Sequence, residues 1–180
     1  MKKVLLQIIF MIICVSSFGQ SFEFSKTDSI PMKKDEIYSK TKMFITDTWK
    51  SSKAVIENDD KEGGIIQLKG IYKTKGVFTL AGNYYYIYGY TVRIRMKDNK
   101  YKVEIYDVIC KDVACTASGR TGILIQPFEG DGKDVKTSNF FGGISKKKAI
   151  EMMAELKGDL NSIIIAYSDC ISKQTKADNF

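Results

Sequence analysis

The sequence predicts an α+β domain: an antiparallel sheet of about five strands with two helices packed on one face, in the order β-α-β-β-β-β-α. Three observations carry this. Residues 84–97 alternate in character with period two, and a second alternating segment follows after a two-residue turn. Two other stretches, Lys34 to Ser51 and Ser145 to Ile171, place apolar residues at helical spacing. Helices segregated to one face of an antiparallel sheet bury both stripes together.

The chain opens with Met1-Lys2-Lys3, runs almost without polar residues from Val4 to Val15, and then reads Ser16-Ser17-Phe18-Gly19-Gln20. A positive start, a short apolar run and a small-x-small end predict a secretory signal peptide over residues 1–19, cut after Gly19. The apolar run falls short of the roughly 20 residues a membrane-spanning helix needs. Cys14 follows the bulky Ile13, which argues against lipid modification there. Cleavage removes Lys2 and Lys3 and lowers the formal net charge from +7 to +5. The expected localisation is therefore periplasmic or secreted. Residues 20–172 are read as one domain, and residues 173–180 as a disordered polar tail.

In chain order, Ser21–Phe24 is a short first strand. Pro31 precedes the helix from Lys34, a place where its missing N–H costs little. Ile37, Thr41, Phe44 and Thr48 mark the helix's inner face, widened by Tyr38, Ile45 and Trp49. Lys53–Glu57 is a strand candidate, Asn58–Gly63 a turn, and Gly64–Tyr72 a further strand. Lys73–Asn83 reads as a polar connection. In Tyr84–Lys97, Tyr86, Tyr88, Tyr90, Val92, Ile94 and Met96 share the core side. Asp98-Asn99 forms the hairpin turn, since both residue types tolerate left-handed backbone. Tyr101–Cys110 returns with Tyr101, Val103 and Ile105 inward. Residues 111–143 carry no sustained pattern and are read as a long loop. Ser145 caps the last helix, whose stripe is Ile150, Met153, Leu156, Leu160, Ile163, Ile164, Tyr167 and Ile171, with Gly158 a weak spot within it.

An ordered set of short signals resembles a known family. It comprises Glu36-Ile37-Tyr38, Trp49, Val55-Ile56, Asp60-Lys61-Glu62-Gly63-Gly64-Ile65, Gly70, Tyr90-Thr91-Val92-Arg93-Ile94 and Lys97-Asp98-Asn99-Lys100-Tyr101. The set is similar to a family of exported bacterial proteins of unknown function with a TATA-binding-protein-like fold, over roughly Phe22 to Asp107. The resemblance implies the same order of elements. It brings no catalytic residue, cofactor or activity.

The solvent face of the sheet is the main candidate site. Lys69, Arg93, Arg95, Lys97 and Lys102 should project from it, near Gln67 and Glu104. In the TATA-binding protein the open sheet face grips DNA. Here export argues against nucleic acid, and no pair of wedge-like phenylalanines is evident. An anionic envelope component, such as a polysaccharide or lipid headgroup, or another envelope protein is the expected partner. The competing reading is a solvated sheet face whose charges pair across strands. Tyr85, with its neighbouring tyrosines, is a candidate aromatic groove for a sugar or peptide.

Cys110 and Cys115 are candidates for a disulfide, with Cys170 left over. The chain has no histidine, so Ser-His-Asp and Cys-His arrangements are impossible and a zinc site is not expected. Two acidic sets, Asp59/Asp60/Glu62 and Glu129/Asp131/Asp134, lack calcium-loop spacing and are explained by turn chemistry. No cofactor is expected. The reading is a non-enzymatic binding domain acting through its open sheet face. One alternative is an assembly subunit that pairs through a strand edge. Another is a hydrolase using carboxylates such as Asp107, Asp112 and Glu104.

Overall fold

The computed structural model describes residues 23–79, 82–115 and 146–177. The elements are β1 (Phe24–Ser29), α1 (Lys34–Trp49), α2 (Ser52–Val55), β2 (Ile56–Asp60), β3 (Ile65–Lys73), β4 (Val77–Thr79), β5 (Gly82–Lys97), β6 (Lys100–Cys115) and α3 (Lys146–Ala177). The sheet is antiparallel and six-stranded, in the order β1-β6-β5-β3-β2, with β4 pairing with β5 beyond the end of β3.

Period two dictates the centre of this sheet. Tyr86, Tyr88, Tyr90, Val92, Ile94 and Met96 of β5 are all buried, and so are Tyr101, Val103 and Ile105 of β6. They meet Ile37, Thr41, Phe44 and Ile45 of α1 and Met153, Leu156, Leu160, Ile164, Tyr167 and Ile171 of α3. Tyr167 lies at the junction of the layers. Its ring packs edge-on against Phe44 at 5.3 Å and Tyr101 at 5.1 Å between centroids. Its hydroxyl lies 2.9 Å from Thr41 Oγ1.

The hairpin turn also organises the start of α1. Asn99 takes a left-handed φ of 61°. Its N–H donates to the Met32 carbonyl, and its own carbonyl accepts from Ile30 N–H. Asp98 Oδ1 accepts from Lys34 N–H at 2.8 Å, serving as a helix cap from a distant strand, since Lys33 offers no side-chain cap.

Several expectations need correcting. The first strand is Phe24–Ser29, placed by pairing with β6 rather than by an apolar pattern of its own. Lys53–Glu57 is not a strand: the chain makes one helical turn over Ser52–Val55 and enters β2 only at Ile56. Asn58–Asp60 belong to β2, and the turn is Lys61–Gly64. The polar connection after Lys73 contains β4. β6 runs to Cys115, through the first residues assigned to the long loop. α3 runs to Ala177, past the point where a tail was expected, and also buries Ala149 and Met152 while exposing Ile150. Residues 116–145, including Ser145 and the Glu129/Asp131/Asp134 set, lie outside the described residues, as do 1–22 and 178–180. Among the described residues no helix is long and apolar enough to cross a membrane.

Candidate functional site

α1 and α3 pack on the inner face of the sheet, so the opposite face carries the outward residues of β3, β5 and β6. Direct cross-strand register sets them in rows: Ile65–Arg95–Lys102, then Gln67–Arg93–Glu104, Lys69–Thr91–Tyr106 and Ile71–Gly89–Ile109. The predicted cations Lys69, Arg93, Arg95 and Lys102 share this face as expected, and Lys97 lies exposed at its hairpin end.

These charges are largely satisfied within the sheet. Glu104, only 7% exposed although it faces outward, accepts from Arg95 Nη2 at 2.7 Å and pairs with Lys102 Nζ at 2.6 Å. Burial pushes its carboxyl upward, but hydrogen bonds and charge from Lys102 and Arg95 outweigh that and hold it below the usual range. Arg93 donates from Nε and Nη2 to Gln67 Oε1, at 3.2 and 2.9 Å. Tyr106 donates to the same oxygen at 3.0 Å, and the Arg93 guanidinium stacks 4.8 Å from the Tyr106 ring. Lys69 pairs with Glu57 at 2.6 Å, a hydrogen bond and charge contact that raise its ammonium pKa. Three of the predicted binding cations thus have acidic partners, and Arg93 is held by a glutamine and a tyrosine. This end of the face has the cross-strand pairing of the competing reading.

The other end differs. Ile71 is 77% exposed and Ile109 41% exposed, on either side of Gly89. Lys111 lays its methylene stem over Gly89, where a Cβ would come 2.8 Å from its Cε. A groove of about 690 Å³ opens here, bounded by Lys69, Ile71, Thr91, Asp107 and Ile109. It continues around the β3 edge to Gly70, Trp49 and Val55. Its size suits a small ligand or a short polypeptide segment.

Two bulges shape this end. On β6 three residue steps, Tyr106 to Ile109, oppose two on β5, Thr91 to Gly89, and a second irregularity follows at Lys111. Asp107 absorbs the first with a left-handed φ of 52°. After it, Val108 and Cys110 turn inward and Ile109 turns out. Strict alternation reads Ile109 as inward, which is why sequence reasoning missed the apolar row; no residue-type signal marks the bulge. Ile71, two residues after Lys69, was legible by parity.

Other candidates resolve differently. Tyr85 is half-buried with the Lys73 ammonium 4.2 Å from its ring centroid, whereas Tyr86 and Tyr88 are fully buried core residues, so the tyrosine run is not one groove. Cys110 forms no disulfide, and its Sγ lies 3.6 Å from the Asp112 carbonyl. It lies opposite Tyr88, and Cys115 lies opposite Tyr84 on the same strand. At about 3.3 Å per residue they are roughly 13 Å apart, beyond the roughly 7 Å limit for a disulfide. Asp60 Oδ1 accepts from Gly63 N–H at 2.7 Å, and Asp59 accepts from Tyr38 and Lys42 at 2.5 and 2.6 Å. Among the described residues no three His, Cys, Asp or Glu side chains are grouped to hold a metal.

Comparison with known proteins bears on this geometry. Residues 25–111 match the model of the family described as a domain of unknown function (DUF4468) with TBP-like fold. A crystal structure of a DUF4468 family protein from Bacteroides ovatus is similar at a TM-score of 0.53 and 14% identity, covering 82% of this chain and 86% of that one. A TBP-like protein from Parabacteroides distasonis is similar at a TM-score of 0.55 and 15% identity, covering 87% and 98%. At such identities the likeness concerns the fold. No curated protein matches the chain.

Proposed function

We propose that this chain is an exported interaction domain that binds a partner through the open face of its sheet. The observation that carries the reading is the apolar row Ile71–Gly89–Ile109 with its groove, on a face left open by α1 and α3. A soluble domain has no structural need for two isoleucines flanking a groove on its outer face. The paired charges around Glu104 form the polar border of this surface rather than its centre. Export rests on the signal-like residues 1–19.

The test compares full-length tagged chain with Ile109→Glu and with Arg93→Glu/Arg95→Glu in cross-linking from cells. A specific cross-linked band lost in Ile109→Glu but kept in the arginine variant supports the apolar row as the contact. A band unaffected by Ile109→Glu removes the open face as the site. N-terminal sequencing of the same material reports on export: a protein beginning at Gln20 supports it, and one beginning at Met1 refutes it.

A further inference from the structure

We infer that the free outer edge of β3, from Lys69 to Lys73, is a docking strand for an extended acidic polypeptide segment that continues the sheet where β2 leaves it. The inference rests on the interaction-domain reading and gives the partner a chemistry.

β2 pairs with β3 only as far as Ile56 opposite Leu68. The chain before Ile56 is the α2 turn, so among the described residues no strand pairs with Lys69–Lys73 on the outer side. In an antiparallel ladder about half of an edge strand's backbone donors and acceptors point away from its one neighbour. Among the described residues β6 also has no partner on its outer side beyond Ile105, where β1 ends at Phe24, and the terminal strands β1 and β2 have one neighbour each. The β3 and β6 edges are not equivalent. β6 is broken by bulges at Asp107 and Lys111, the usual way to stop edge pairing. β3 keeps unbroken register with β5 from Ile65 to Lys73, so it presents a regular template.

The groove lies beside this template. Trp49 and Val55 face it across from Gly70 and Ile71, so an added strand meets apolar side chains as well as backbone. Strand addition in a cleft between an edge and a helical wall is a recurring mode of peptide recognition. The surrounding charge selects the partner. Lys50 and Lys53 flank the wall residues, are exposed and have no ion pair among the described residues. Lys69 and Lys73 project from β3 itself. Against these four stand Glu57, paired with Lys69, and Asp107, whose charge also reaches Lys69. The excess is positive, which favours acidic side chains on the incoming strand.

The test uses a fluorescent peptide of alternating glutamate and valine, its lysine-for-glutamate counterpart, and a version N-methylated on alternate residues so that it cannot complete a ladder. Binding is read by anisotropy at low salt, and β3 amide protection by hydrogen exchange. The expected result is saturable binding of the acidic peptide alone, with slower exchange within Lys69–Lys73. Lys50→Glu/Lys53→Glu should weaken it by about tenfold, and the same charge reversal at Lys147, exposed on α3 away from the groove, should leave it unchanged. Absence of saturable binding, equal binding of the lysine peptide or equal binding of the N-methylated peptide overturns the inference. Binding lost in Ile109→Glu but kept in Lys50→Glu/Lys53→Glu also overturns it, while leaving the open-face reading intact.

Discussion

The Thr41–Tyr167 contact gives a sharp energetic test of how the two helices are joined. Both residues are fully buried, one on α1 and one on α3. Thr41 Oγ1 lies 2.7 Å from the Ile37 carbonyl, which can only accept, so the single hydroxyl hydrogen of Thr41 goes there. Tyr167 must then donate across the 2.9 Å gap to Thr41 Oγ1. The two deletions are therefore unequal. Tyr167→Phe removes a donor while Thr41 keeps its backbone acceptor, a loss of about 1 kcal/mol. Thr41→Val leaves the Tyr167 hydroxyl buried without that acceptor and should cost about 2 to 3 kcal/mol. The double variant replaces both groups by apolar ones of similar shape and should cost no more than Tyr167→Phe alone, about 1 kcal/mol. Urea unfolding of the four proteins, with unchanged m-values, yields the cycle. Additive losses, or a Thr41→Val no costlier than Tyr167→Phe, would refute the donor assignment and the coupling it implies.

Further expectations follow from the same geometry. Asp98→Ala should lower stability by about 1 kcal/mol through loss of the α1 cap, read by thermal unfolding, with Asp98→Asn retaining most of it. Gly158→Ala should stabilise α3 by roughly 0.5 to 1 kcal/mol, since an added Cβ there has open space; Gly64→Ala should do the reverse, because Gly64 has a φ of +66° and its Cβ would lie 2.4 Å from the Met96 carbonyl. Glu104 has a depressed carboxyl pKa, so its contribution is present above the unfolded-state value and is lost as pH falls through the folded-state value; Glu104→Gln should flatten the acid limb of a stability–pH curve. The tyrosines act at the other limb. The Asp59 hydrogen bond, followed by burial and the charge of Asp59, pushes Tyr38 up to about 12, and burial raises Tyr86, Tyr90, Tyr101 and Tyr167. Their stabilisation is intact below the unfolded value of 10.0 and is lost above it. Tyrosinate absorbance should rise together with loss of circular dichroism, and ionisation completed before any unfolding would contradict the burial.

The fold was legible where side chains carried the pattern. β5 and β6 alternate because one face meets the helices, and the Asp98-Asn99 turn between them announces itself by residue type. Elements held by backbone pairing alone were misread. β1 is largely polar, Phe-Ser-Lys-Thr-Asp-Ser, and is a strand because β6 offers it an edge. Asn58-Asp59-Asp60 has turn composition yet forms the outer strand β2, where the pairing with β3 outweighs weak propensity. Val55-Ile56 suggested a strand beginning three residues before β2 does, since β-branched residues occur on both sides of the α2–β2 boundary. In the candidate site, parity placed the cations correctly. It set Gln67 and Glu104 beside them and raised cross-strand pairing, but it did not assign the pairs and missed Glu57, because Glu57 and Gln67 reach the cations across strands whose register is a tertiary property.

The bulge at Asp107 links this lesson to function. Through Ile105 the odd residues of β6 point inward, and strict continuation would bury Ile109 and turn Val108 and Cys110 to solvent. One inserted residue reverses this. The inner face keeps Val108 and Cys110 against the core, so the inversion leaves no gap there. The outer face gains Ile109 beside Gly89, and with it the apolar half of the groove. An aspartate at φ 52° tolerates the left-handed region better than a β-branched residue would, so the backbone cost is modest. The same bulge interrupts the β6 edge just beyond the end of β1. A single irregularity thus disfavours strand addition at the β6 edge and exposes an apolar row on the face, while β3 keeps unbroken register with β5 from Ile65 to Lys73.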